Sequence, residues 1–151
     1  MPGIFQLYEF VKAPRGPYAF DFWVHPVLIS SVLGLFAVEL RPDIGEPDLR
    51  MVNEAERLVS FMQAHPDKLL DKVYEHYRGF DANLEWLASR DVPENLKKDE
   101  LPPYLMVRDI VVIRDENMQT LRSCFYISPQ WDKEHAIYLE LRGIKLEYCE
   151  C

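Results

Sequence analysis

The chain has 151 residues, of which 13% are aromatic and 48% fall in the apolar set, enough side-chain surface to close one core and to exclude intrinsic disorder. Its 17 Lys and Arg stand against 25 Asp and Glu, a formal charge of -8, and a field of that sign repels phosphate backbones and anionic headgroups. Nucleic acid and membrane surfaces are therefore excluded as expected ligands, whereas a basic protein is attracted over about a Debye length, roughly 8 Å at physiological salt.

The opening residues, Met1, Pro2, Gly3, Ile4 and Phe5, with Glu9 close behind, do not form the basic-then-apolar pattern of an export signal. The longest apolar run, Val27 to Leu40, is interrupted by serines, a glycine and a glutamate and reads as core strands, not as a membrane span. Three cysteines, an odd number, draw no disulfide framework, so the expected location is the reducing cytoplasm.

No repeat or Gly/Ser linker divides the sequence, and residues 1–151 read as one domain. Up to about Pro47, turn residues alternate with short β-rich pieces at Tyr18 to Val24, Val27 to Val32 and Leu35 to Leu40. In the last piece Phe36, Val38 and Leu40 make one wholly apolar face.

Residues from about 53 to 90 are helical in pattern. Asn53 with Glu56 matches a capping box, and Ala55, Leu58, Val59 and Met62 recur at helical spacing. That helix ends near His65. Pro66 suits the first turn of a second helix, whose stripe is Leu69, Leu70, Val73, Tyr74 and Tyr77 and whose end is Gly79. A third helix runs through Leu84, Trp86 and Leu87, and Val92 to Pro103 reads as a polar connection.

From Leu105 the period changes to two. Strands are expected at Leu105 to Arg114, Thr120 to Ser128, Ala136 to Arg142 and Ile144 to Cys149, an antiparallel meander over about 105–149. Ile137, Leu139 and Leu141 share a face of one strand, and Ile144, Leu146 and Tyr148 share a face of the next. The expected fold class is α+β: an antiparallel sheet, made of this meander plus the N-terminal strands, with two or three helices on one face.

The densest polar group is Trp131, Asp132, Lys133, Glu134, His135. Asp132, Glu134 and His135 are the residue types of a metal site or an acid/base pair, but no second cluster completes a ligand set, and neighbours in a strand face opposite ways. The plainer reading makes the group structural, with Trp131 filling the core and Asp132 accepting turn amides. Cys149 and Cys151 lack two further zinc ligands. His25, His65 and His76 are scattered, His76 on the polar side of its helix. The six glycines form no phosphate loop, so no cofactor or metal is expected. Asp43, Glu46, Asp48, Glu94, Asp99, Glu100, Asp115 and Glu116 would form an acidic rim for a basic partner if they lie together. Tyr8, Phe10, Tyr18 and Phe20 are candidate binding anchors if exposed.

With Val73, Tyr74 and Tyr77 at a helix end and the late W-D-x-E-H of Trp131, Asp132, Glu134 and His135, the chain resembles a family of small bacterial α+β domains related to the immunity proteins of polymorphic toxin systems, over about residues 20–148. The resemblance implies a single α+β domain without catalysis that binds and neutralises a toxin or another enzyme with a basic surface. Two other classes stay open: an acidic inhibitor protein of phage or host origin, and a metal-binding protein or hydrolase using Asp132, Glu134 and His135.

Overall fold

The computed structural model describes residues 3–13, 21–115, 117 and 120–149. Among them eight strands form a sheet in the order β1-β2-β4-β5-β6-β7-β8, with β3 paired to β4 beside that path. The strands are β1 (Val11–Lys12), β2 (Trp23–Val24), β3 (Ile29–Ser31), β4 (Gly34–Pro42), β5 (Leu105–Asp115), β6 (Thr120–Pro129), β7 (Ile137–Arg142) and β8 (Lys145–Tyr148). Helices α1 (Leu49–Ala64), α2 (Pro66–Arg78) and α3 (Leu84–Ser89) lie between β4 and β5. The class is α+β, as the change of sequence period implies.

Strand alternation sorts the side chains. Phe36, Val38 and Leu40 of β4 are fully buried, and the same face carries Ile110, Val112, Phe125, Ile127, Ile137, Leu139, Leu141 and Leu146. Against it lie Met51, Val52, Ala55, Leu58, Val59 and Met62 of α1 and Leu69, Val73 and Tyr77 of α2. The helices thus cover one face of the sheet, and the other carries Ala37, Glu39, Arg41, Asp109, Tyr126 and Tyr138.

Three expectations about the N-terminal half need correction. The strand expected over Tyr18 to Val24 is ordered as β2 only at Trp23–Val24, and its residues 18–20 lie outside the described residues. Val27 to Val32 contracts to β3, because the Val27 amide donates to His25 Nδ1 at 3.1 Å in a turn and Ser31 closes the next turn. There the Ser31 hydroxyl donates to the Gly34 carbonyl at 2.8 Å, and Gly34 sits at φ +114, where a side chain is strained. Helix α1, finally, starts at Leu49 and not near residue 53.

The cap of α1 is Asp48, whose carboxylate accepts from the Met51 amide at 3.1 Å. Glu56, the expected capping-box partner of Asn53, instead accepts from the Phe5 amide at 2.9 Å and ties the N-terminal segment to the helix. Asp48 also accepts from Arg114 Nη1 at 2.8 Å, joining the helix start to the end of β5. Burial opposes its ionisation, but the Met51 amide and the guanidinium groups of Arg114 and Arg50 outweigh it and hold the carboxyl below its ordinary value. Asp48→Ala is expected to lower stability by about 1.5 kcal/mol, the sum of a lost cap and a weakened ion pair on a nearly buried arginine. Asn53→Ala, which replaces an exposed helix-interior residue, should stay within about 0.5 kcal/mol of the parent in urea denaturation.

Helix α2 begins at Pro66 as expected, but Gly79 has φ -65 and ends it without a left-handed residue, through Gly79 and Phe80 amides bonded to His76 and Tyr77 carbonyls. The stretch from Val92 to Pro103 is not simply polar. Val92, Leu96 and Leu101 are buried, and the Tyr77 hydroxyl donates to the Pro93 carbonyl at 2.6 Å while accepting from the Leu96 amide at 3.1 Å. A buried phenol thereby anchors the connector to α2.

The meander β5-β6-β7-β8 is antiparallel throughout. Its last turn places Gly143 at φ +63, and Ile144, expected in the final strand, is an exposed turn residue. The pairing of β4 with β5 departs from the expected antiparallel sheet: it is parallel, from Ala37↔Asp109 to Pro42↔Arg114. A crossover through three helices returns the chain in the same direction, which is what a parallel pair requires. No helix among the described residues is long and apolar enough to cross a membrane.

Candidate functional site

The W-D-x-E-H residues precede β7 in a turn and divide into two halves. Trp131 is wholly buried. Its indole Nε1 donates to His76 Nδ1 at 3.0 Å, its ring meets Tyr77 edge-on at 5.2 Å, and its carbonyl accepts from Trp86 Nε1 at 2.6 Å. His76, expected on the polar side of α2, is therefore half-buried against Trp131, and burial lowers its pKa against the pull of Asp132. Because indole N–H only donates, His76 Nδ1 is the acceptor and its ring is neutral there. Asp132 is 7% exposed and accepts from the His135 amide at 3.2 Å.

The imidazole of His135 lies in solvent with Nδ1 at 3.1 Å from the Asp132 carboxylate, and Glu134 is exposed and lines a separate depression with Ser89, Arg90, Asp91, Gln130 and Lys133. Among the described residues no Ser, Thr or Cys side chain hydrogen-bonds to His135, and no three His, Cys, Asp or Glu side chains form a group able to hold a metal ion. Asp132 and His135 are brought together; Glu134 is not brought to them.

The acidic rim is split. Asp43, Glu46, Asp48 and Asp115 lie at the carboxyl ends of β4 and β5, where the Asp43 amide bonds the Arg114 carbonyl. Glu94, Asp99 and Glu100 precede the start of β5, at the opposite end of a strand about 33 Å long. At the first end Asp43 and Asp115 share a depression of about 370 Å³ with Arg41, Arg114 and Arg122, so acid there is matched by base. Glu116 lies outside the described residues. Of the candidate anchors Tyr8 is 85% exposed, whereas Phe10 is buried with Phe5 around His25; Tyr18 and Phe20 lie outside the described residues. Cys149 is half-buried and its amide bonds the Tyr138 carbonyl; Cys151 is outside the described residues.

The feature that sequence reasoning missed lies on the helix-free face. Register aligns Ala37, Asp109, Tyr126 and Tyr138 in one row across β4, β5, β6 and β7. The next row runs from Val24 to Glu39 and Val111. With strands about 4.8 Å apart, neighbours in these rows adjoin, and all of them but Val111 line, with Phe22, Arg41 and Val107, a basin of about 490 Å³. Small Ala37 leaves the depth beside Asp109. The Tyr126 and Tyr138 rings meet edge-on at 5.1 Å.

Its charges are unequal in their partners. Arg41 Nε and Nη2 donate to Glu39 Oε2 at 3.1 and 2.8 Å, so the carboxylate of a residue only 8% exposed is ion-paired on its own strand. Among the described residues nothing hydrogen-bonds or ion-pairs with the Asp109 carboxylate. Burial first, and the Glu39 carboxylate second, push its carboxyl up to about 6 against the pull of Arg41 and Arg108. A strand-interior Asp and Glu on the face opposite the apolar one are the sequence signal that could have located the basin. No family model, curated protein or solved structure matches the chain.

Proposed function

We propose that this chain is a protein-binding domain without catalytic chemistry of its own, acting as an immunity protein that neutralises a cognate bacterial toxin by covering it. The observation that carries the reading is the helix-free face of the sheet, where Asp109, half-buried and with no hydrogen bond or ion pair to its carboxylate among the described residues, stands in register with Tyr126 and, one strand further, Tyr138. Rings supply large contact area at small entropic loss, and a half-desolvated charge awaits a complement. The net charge of -8 favours a basic partner and speeds encounter with it. The motif that carries the resemblance to immunity domains supports the reading through its buried half, which braces the turn before β7. An inhibitor of phage or host origin would use the same surface against another target. The hydrolase reading has the Asp132–His135 pair in its favour and, among the described residues, neither a nucleophile nor a third ligand beside it.

Affinity capture with the full chain tests the proposal. One neighbouring gene product is expected in stoichiometric complex, its enzymatic activity suppressed, and the complex weakened as salt rises. Tyr138→Ala should release the partner while the chain stays folded. Recovery of no protein at low and moderate salt, or a captured enzyme that keeps full activity, would sink the proposal.

A further inference from the structure

The sheet ends in strands of unequal reach. At one end β1 has two residues; at the other β8, Lys145–Tyr148, has four and pairs with β7 alone among the described residues. The Cys149 amide bonds the Tyr138 carbonyl, and by alternation Glu147 and Lys145 also direct their backbone groups at β7. The amides and carbonyls of Leu146 and Tyr148 therefore face outward, a template for one more strand.

The charges on β8 select what that strand is. On the helix-free side Glu147 stands directly across from Glu140 of β7, and Lys145 across from Arg142, so both cross-strand pairs within the chain join like charges. Arg142 reaches the two glutamates at 3.2 and 3.4 Å, and Lys145 reaches Glu147 along the strand at 3.6 Å. A strand on the open edge fits best when it sets an acid against Lys145 and a base against Glu147. The reverse of this same strand does so: two copies paired antiparallel about Leu146 bring Lys145 opposite Glu147 twice. Sliding that register by two residues puts Glu147 on Glu147 or Lys145 on Lys145, and sliding it by one mismatches the bonding groups. On the helix side Leu146 meets its own copy, and the exposed Tyr148 comes to the end that carries the exposed Ile144.

Helix α2 repeats the pattern. Lys68, Asp71, Lys72 and Glu75 line a groove of about 430 Å³ along the edge, with Ile144, Lys145 and Leu146. Lys68 Nζ donates to the Ile144 carbonyl at 3.3 Å and the Tyr148 hydroxyl donates to the Lys72 carbonyl at 2.6 Å, so α2 runs in the same sense as β8. A two-fold axis through the sheet at Leu146 turns two such helices antiparallel on one side of it. Their row reads plus, minus, plus, minus, which complements its own reverse: Lys68 with Glu75 and Asp71 with Lys72. Within one chain Asp71 pairs with Lys98 and Lys72 with Glu75, surface contacts of small worth that leave donors and acceptors for a second partner.

We infer that β8 is a homodimer edge, where two copies of this chain join antiparallel through Lys145–Tyr148, with Leu146 at the two-fold axis, into one continuous sheet. The pairing uses an edge and not a face of the sheet, and it does not rest on the protein-binding reading. Two chains of charge -8 repel, but at physiological salt that field is screened beyond roughly 8 Å, while the paired side chains are in contact.

Sedimentation of the full chain tests this, with reductant present to remove any disulfide link. The mass should rise from 17.8 kDa towards twice that value, with half association at about 50 µM, as suits a short edge. The Leu146 and Tyr148 amides should exchange more slowly as concentration rises, while those of Lys145 and Glu147, bonded to β7 in both states, stay unchanged. Glu147→Lys and Lys145→Glu each set like charges across the axis and should weaken association about tenfold, with native circular dichroism. Their equimolar mixture restores opposite pairs and should associate as the parent does. A chain still monomeric at about 500 µM overturns the inference. So does a dimer that neither variant weakens, a mixture that fails to recover, or a Leu146 amide protected only in complex with a captured partner, which assigns the edge to that partner.

Discussion

Trp131→Ala is expected to be the most damaging single substitution in the chain, lowering stability by about 4 kcal/mol. The side chain is 0% exposed, meets Tyr77 and His76, and is the donor to His76 Nδ1. Truncation opens a cavity where the turn before β7, the second helix and α3 converge, and it leaves a half-buried imidazole nitrogen without its hydrogen. Domains of this kind hold only about 5–15 kcal/mol in total, so the variant should be largely unfolded at moderate urea concentrations where the parent is native. Trp131→Phe keeps a ring but loses the N–H and part of the volume, and a loss of about 2 kcal/mol is expected. Glu134→Ala, at an exposed position of the same motif, should stay within about 0.5 kcal/mol of the parent. Circular dichroism at rising urea concentration orders the three. A Trp131→Ala protein as stable as Glu134→Ala would show that the turn is not what braces this corner.

That contrast shows how far local sequence reaches. Trp131 and Asp132 could be read as structural because a large aromatic and a short acid beside a proline turn have few other uses. The strands from β4 to β8 were legible for a similar reason: strict alternation, as in Phe36, Val38 and Leu40, leaves one burial pattern consistent with a half-covered sheet. Helix starts were less legible. Both Asp48 and Asn53 are good caps by type, and what favours Asp48 is Arg114, a residue far along the chain whose guanidinium bonds its carboxylate. The burial of His76 is hidden for the same reason, because its partner Trp131 comes from a distant turn.

The parallel pairing of β4 with β5, and with it the basin, could not be read at all. Nothing in either strand names the other as neighbour. Only the completed register sets Ala37 beside Asp109 and Asp109 beside Tyr126. The acids of the expected rim illustrate the same limit from the other side, since composition groups them and topology separates Asp43, Glu46, Asp48 and Asp115 from Glu94, Asp99 and Glu100. A functional surface on a sheet is made of single residues from many strands, so its chemistry is spread through the sequence one side chain at a time.

Asp109 makes that surface measurable without any ligand. Its carboxyl is raised to about 6 in the folded chain, against an ordinary value of 3.8 in the unfolded one. The native state therefore binds more protons than the unfolded state across that window, and the sign follows: this residue contributes a loss of stability that begins as pH rises past about 4 and is complete above about 6. This is the reverse of a salt-bridged acid such as Asp48, whose contribution is present at neutral pH and disappears in acid. A shift of that size corresponds to about 3 kcal/mol, and partial solvent access reduces the expected effect to about 2 kcal/mol. Asp109→Asn, which imitates the protonated acid at every pH, should match the parent below about pH 4 and exceed it by about 2 kcal/mol at pH 8. The difference between the two urea titrations isolates the residue, because every other titrating group is common to both. An Asn variant no more stable than the parent at pH 8 would mean that Asp109 is compensated in the free chain. The expected gain has a physical cause: an ionised carboxylate kept half-buried on a sheet, with no hydrogen bond or ion pair among the described residues, lowers stability.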